Sequence, residues 1–168
     1  MVYPFQTGHE EFAIRDVVAD FSKDTVKPFI PTIIKPFKKS GIVQYETQLL
    51  FPGYIFVETK LLNNEFVQII NKTIYSSKHL VKLLTYGTDD VALKEDERRI
   101  LESIWDKEKH QISSSKGVLK NNRITIIDGP LMGMESKIKK INRHKMQAMV
   151  EVELLNKVEN VMVGLEII

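Results

Sequence analysis

Residues 49–59, Leu-Leu-Phe-Pro-Gly-Tyr-Ile-Phe-Val-Glu-Thr, restrict the fold of this chain more than any other stretch, because they join a tight turn to an apolar strand. Proline presets φ at Pro52 and Gly53 accepts a positive φ next, which leaves Phe51 at a bend with its ring aimed by the backbone. Beyond the bend the chain extends, so Ile55 and Val57 share one face while Tyr54 and Phe56 share the other. Both faces are apolar. A sheet covered by helices on one side only should alternate apolar with polar residues. The strand is therefore either central and covered twice, as plain core, or it offers Phe51, Tyr54 and Phe56 to a partner.

In chain order, Tyr3 to Gln6 reads as a first strand and Thr7-Gly8-His9-Glu10 as a capping box, with Glu10 reaching back to the Thr7 amide. Ala13, Ile14, Val17, Val18 and Phe21 then recur as one apolar stripe of a helix. Pro28, Pro31 and Pro36 break the next part into extended pieces. Ile33 to Lys38 and Ile42 to Leu50 form a hairpin around Lys39-Ser40-Gly41 that leads into the Gly53 to Thr59 strand. Asn63 or Asn64 caps a second helix with Phe66, Val67, Ile69 and Ile70 on its apolar face. Val81 to Leu84 suits a strand, and a third helix runs from about Leu93 to Lys107, its acidic start at Glu95-Asp96-Glu97 matching the helix dipole. The order β-α-β-β-(β)-α-β-α argues for an α+β sandwich of ferredoxin-like type over residues 1–108.

Residues 109–121 lose periodicity and gain serine, and read as a linker. Residues 122–168 hold short alternations, at Ile124/Ile126, Ala148/Val150/Val152/Leu154 and Val161/Val163, separated by turns at Gly129-Pro130, Asn142 to Lys145 and Asn156-Lys157. Such a segment suits a small SH3-like barrel. Charge is uneven. Residues 1–115 hold 15 Lys+Arg against 16 Asp+Glu, whereas residues 116–168 hold 9 against 6. Lys137, Lys139, Lys140, Arg143 and Lys145, with His144 among them, fall within nine positions free of acid. They form either a solvated barrel face or a surface for nucleic-acid phosphates.

The absence of cysteine excludes disulfide frameworks, thiolate metal sites and cysteine nucleophiles. The four histidines are scattered, no glycine-rich phosphate loop leads into a helix, and the three acids at Glu95–Glu97 are explained by a helix start. No catalytic residue, metal or cofactor is therefore expected, and neither is an enzyme. No apolar run approaches the roughly 20 residues of a membrane span, and the N-terminus has no signal pattern. A cytoplasmic monomer without a membrane partner is expected.

Three stretches in order, "QTGHEEFA" (Gln6 to Ala13), "FPGYIFV" (Phe51 to Val57) and "DGPLMGMESKIKKI" (Asp128 to Ile141), resemble the NusG family of transcription elongation factors, the last of them its KOW motif. The resemblance implies a domain that docks on RNA polymerase through a hydrophobic patch and suppresses pausing, with Phe51, Pro52 and Tyr54 at the matching positions and Phe56 on the same strand face. It also implies a polar pair that reads the exposed non-template DNA strand, here Ser76 and Ser77 beside Lys78. An ordinary polar loop before a strand is the alternative there. Housekeeping members carry an aromatic after "DGP" to engage Rho or the ribosome, but this chain has Leu131. The run from Gly133 through "KIKKINRHK" to "VGLEII" instead resembles the specialised paralogue LoaP, whose KOW domain recognises a leader RNA hairpin. Ser136 stands where the motif usually has glycine, a strained choice if the position needs a positive φ.

The expected function is transcription antitermination: polymerase docking through the N-terminal domain, and RNA binding through Lys137, Lys139, Lys140, Arg143, His144 and Lys145. Lys137 and Lys139 are expected to alternate with a core-facing Ile138 on one strand. A general elongation factor coupling polymerase to Rho or the ribosome is the second reading. A KOW-type ribosome-associated protein is the third, disfavoured by the ferredoxin-like half.

Overall fold

The computed structural model describes residues 1–22, 24–87 and 92–168. Its first elements are β1 (Val2–Thr7), α1 (Glu10–Asp20), β2 (Val26–Phe29), β3 (Thr32–Lys39), β4 (Ile42–Leu49), β5 (Tyr54–Thr59), α2 (Asn63–Ser76) and β6 (Leu80–Leu83). Then follow α3 (Glu95–Ile104), β7 (Gln111–Ile112), β8 (Ser115–Lys120), β9 (Arg123–Asp128), a 3-10 turn at Glu135–Lys137, β10 (Ile138–Asn142), β11 (Gln147–Leu154) and β12 (Lys157–Ile167). The chain forms two compact units, one of Met1–Pro31 and Phe51–Arg98, the other of Thr32–Leu50 and Arg99–Ile168.

The first unit is an α+β sandwich. Its sheet has the order β2-β5-β1-β6, with every neighbouring pair antiparallel. The β1-α1-β2 and β5-α2-β6 segments each cross over one strand, which is the ferredoxin-like topology. Register fixes the faces: Tyr3 opposes Val57 and Phe5 opposes Ile55, whereas Pro4 opposes Phe56 and Gln6 opposes Tyr54. Tyr3, Phe5, Ile55 and Val57 join Ala13, Val17 and Phe21 of the first helical segment and Phe66 and Ile70 of α2 in one core. On the opposite face the Phe56 ring stacks on Phe29 at 5.7 Å and meets Phe51 at 5.9 Å. β5 is thus a central strand, and Ile55, Phe56 and Val57 are core on both of its faces. Burying a side chain of this size contributes about 2–3 kcal/mol.

β2 is a strand the sequence does not announce, since Pro28 occupies one of its four positions. It is tolerated because β2 lies at the sheet edge, where one side of the strand needs no ladder bonds. The capping box at Thr7 does not form. His9 is the N-cap of α1 and makes no side-chain cap bond, Thr7 belongs to β1, and the Glu10 carboxylate bonds to Gly53 instead.

The β3–β4 hairpin turns at Ser40 and Gly41, with φ of 52° and 80°, the two positive values a two-residue type I′ turn requires. Expected to lead into the sandwich, the hairpin instead forms a separate sheet of order β4-β3-β7 and belongs to the second unit. Thr32 and Ile33 pair with Gln111 and Ile112 in parallel, and the Gln111 side chain donates to the Thr32 hydroxyl at 3.1 Å. β3 also packs against β12 at Gly164. A Cβ there would meet Pro36 Cδ at 2.7 Å and the Ile34 carbonyl at 3.0 Å, so only glycine admits this approach. Tyr45 adds a hydrogen bond to the Glu166 carboxylate at 2.7 Å, which raises the tyrosine pKa.

The rest of the second unit is a curled five-stranded sheet of order β10-β11-β12-β8-β9, parallel only where β12 meets β8. Its strands bury Ile126, Ala148, Val150, Val152, Val161, Val163 and Leu165, and the connecting turns bury Leu131 and Met146, as the core of an SH3-like barrel requires. The 109–121 segment, expected as a linker, contains β7 and β8. Ahead of it the Asp106 carboxylate accepts from the Glu108 and Lys109 amides at 3.0 and 2.8 Å, bonds that lower its pKa, that from Lys109 first. Serine and glycine conceal these strands. In β8 the positions facing inward are Ser115 and Gly117, which carry no apolar signal.

Candidate functional site

The Phe51–Tyr54 turn is held from three sides. The Tyr54 amide donates to the Phe51 carbonyl at 3.2 Å, and Gly53 has a φ of 84°, as the third residue of a type II turn requires. The Thr7 amide donates to the Gly53 carbonyl at 2.8 Å, and the Gly53 amide donates to the Glu10 carboxylate at 2.6 Å. That amide bond holds the Glu10 carboxyl below its ordinary pKa. Both polar groups of Gly53 are thereby satisfied, and the turn leaves Pro52 exposed and Phe51 and Tyr54 half-buried. Phe56 departs from its expected place on a docking surface. It is only 1% exposed, so its ring supports Phe51 from below and is not available for contact.

The polar pair at the end of α2 is engaged internally. Ser76 donates to the carbonyls of Lys72 and Thr73 at 3.1 and 3.2 Å. The Ser77 hydroxyl donates to Asp16 and accepts from the His79 and Leu80 amides, both at 3.0 Å. His79 Nδ1 lies 3.1 Å from the same Asp16 oxygen, and the Asp16 pKa is lowered, first by the Ser77 hydroxyl and then by His79. Ser77 thus fastens a loop, while Lys78 is exposed beside it. Tyr75, 95% exposed, is the outstanding surface aromatic at this end of the unit. Phe12, on the neighbouring helix, lies between His9 at 4.3 Å and His79 at 5.0 Å, with the Arg15 guanidinium 5.1 Å over its ring. Phe12 is not marked by the sequence, because a single aromatic outside the apolar stripe has no periodic signal.

In the second unit, Lys137, Lys139, Lys140, Arg143, His144 and Lys145 are all exposed. The route differs from simple alternation. Lys137 closes the 3-10 turn, and a bulge between Ile138 and Lys140 lets Lys139 and Lys140 both face solvent. Ser136 lies within the 3-10 turn and has no positive φ, so it carries no strain. Asn142 accepts from the Lys145 amide at 2.9 Å, and buried Met146 anchors the turn, with its carbonyl bonded to the Leu165 amide at 2.9 Å. Arg143, His144 and Lys145 are carried outward on that turn. Lys139 is paired with Glu151 at 3.0 Å, so part of its charge is already answered.

Leu131, the residue after Asp-Gly-Pro, is 2% exposed, and its amide donates to the Ser115 hydroxyl at 3.1 Å. The exposed apolar residues nearby are Met132 and Ile127. Among the described residues no group of three or more potential metal ligands comes together, and no helix is long and apolar enough to cross a membrane.

A protein-family model described as Transcription termination factor nusG matches residues 2–102. The chain belongs to the NusG family. The match covers the whole ferredoxin-like sheet, the Phe51–Tyr54 turn and the hairpin, and ends inside α3. A comparison with curated proteins returned no match. NusG-family proteins are non-enzymatic transcription factors that bind RNA polymerase, so this chain is a transcription factor of the elongation and antitermination class.

Proposed function

We propose that the protein is a specialised antiterminator of the LoaP kind, working in the cytoplasm, which docks on RNA polymerase through its ferredoxin-like sheet and grips a leader RNA hairpin through the barrel of β8 to β12. The docking surface is Phe51, Pro52 and Tyr54, pre-shaped by Glu10 and supported by Phe56. Lys78, presented by the Ser77-fastened loop, lies toward the non-template DNA strand. The observation that carries the RNA half is the Asn142-capped turn, which projects Arg143, His144 and Lys145 together beside exposed Lys139 and Lys140. Phosphates supply most of the affinity of such a surface. Specificity comes from an unpaired loop or bulge, because the deep groove of A-form RNA hides its base edges.

Buried Leu131 argues against the coupling role, since the residue after Asp-Gly-Pro is unavailable to Rho or to a ribosomal protein. That second reading draws instead on Met132, 59% exposed, as a substitute apolar contact. A pull-down of tagged full-length protein, with and without RNase, separates the two. RNA recovered with polymerase and lost on RNase treatment supports antitermination. Recovery of Rho or ribosomal subunits, insensitive to RNase and abolished by Met132→Ser, would replace it with coupling.

A further inference from the structure

The cationic turn has a second basic element beside it. The bond from the Leu165 amide to the Met146 carbonyl fastens the turn to β12. The adjacent residue, Gly164, is where β3 packs, with Pro36 and Ile34 against it. The hairpin and the turn therefore flank one short part of β12, within a single compact unit. β3 carries Lys35, Lys38 and Lys39 within five positions, and no acid occurs from Thr32 to Ile42. Lys38 and Lys39 are exposed next to the hairpin tip, and none of the three is ion-paired among the described residues. Proline supports this approach. Its lack of an N–H costs β3 no ladder bond, because β7 ends opposite Ile33.

We propose that the β3–β4 hairpin and the Arg143–Lys145 turn form one phosphate-binding surface for the stem of a structured RNA, with Lys38 and Lys39 reaching stem phosphates from the two faces of the hairpin tip. This rests on the RNA-binding reading and adds a partner surface outside the barrel. Lys38, Lys39, Arg143, His144 and Lys145 stand at the hairpin tip and the turn with no Phe, Tyr or Trp among positions 38–40 and 143–145, and Tyr45, the exposed aromatic of β4, has its hydroxyl held on the Glu166 carboxylate. Single-stranded nucleic acid is held by stacking its bases on such rings, whereas an A-form RNA duplex is gripped mostly through its phosphates and 2′-hydroxyls. The surface thus fits a paired stem. Hairpin and barrel keep their register because Gly164 admits Pro36.

The test uses the full chain and a stem-loop RNA of about 16 base pairs, the span of a typical double-stranded RNA module, with a DNA duplex of the same length as competitor. Lys38→Ala with Lys39→Ala should weaken RNA binding at least fivefold and flatten the log–log salt dependence by up to about two units, one for each phosphate no longer neutralised. Urea melts should be unchanged, and Lys38→Gln with Lys39→Gln should behave alike. In a Gly164→Ala background the added methyl pushes Pro36 away, and the lysine changes should then have little further effect. If Lys140→Ala with Arg143→Ala weakens binding while the hairpin variants do not, the hairpin surface is refuted and the RNA reading stands. If neither pair matters, both fall. Equal binding of the DNA duplex, weakened equally in the hairpin variants, would overturn the assignment to RNA.

Discussion

Along the sequence Glu10 pairs naturally with Thr7, three residues before it, in a capping box. In the folded chain the same carboxylate stabilises a turn 43 residues away by accepting the Gly53 amide. The Thr7 amide is already donated to Gly53, so a capping box had no free donor to use. Because this bond depresses the Glu10 pKa, its stabilisation is present above the carboxyl's unfolded pKa and is lost as pH falls through the folded value. Glu10→Gln should therefore lower stability by roughly 1 kcal/mol at neutral pH, a figure reduced for the group's exposure. Thermal melts from pH 7 down to pH 3 should show the gap between variant and parent closing with acid. A gap independent of pH would mean that the charge of Glu10 does not hold the turn.

Elements with a strong period were legible: α1, α2, the β3–β4 hairpin and β5 follow from apolar spacing and turn residues. Those built by pairing alone were not. β2 is four residues with a proline, β8 turns serine and glycine inward, and the Lys139 bulge is invisible because both its neighbours are polar or half-buried. β5 illustrates how a candidate site can be half read. Its surplus apolar face was evident, yet the division of that face between core and contact was set by Phe29 and by the turn. Phe51→Ala with Tyr54→Ala should consequently reduce polymerase co-purification more than tenfold and leave the fold intact. Phe56→Ala should cost about 3–5 kcal/mol in a urea titration, as a cavity in a core does. Equal destabilisation by both sets of changes would assign Phe51 and Tyr54 to the core and remove the docking surface.

For the whole molecule, the division into units does not follow the division of the sequence. The chain passes between units after Pro31, after Leu50 and after Arg98, so neither unit is one continuous segment. A fragment of residues 122–168 lacks β8, which pairs with both β9 and β12, and lacks β3 against Gly164. Such a fragment should show no dispersed amide spectrum, whereas addition of residues 99–121 together with a hairpin peptide of residues 32–50 should restore one. A well-dispersed spectrum from 122–168 alone would make the barrel autonomous and the hairpin an accessory.

The close approach of Pro36 to Gly164 also sets an order of events during synthesis. Every strand of the ferredoxin-like sheet lies within the first 83 residues, whereas Gly164 follows Pro36 by roughly 130. At about 5–20 residues per second, a ribosome leaves β3 without its partner on β12 for on the order of ten seconds. The turn at Phe51 can take its final shape in that interval, while the hairpin joined to it through Leu50 still lacks β12 against Pro36.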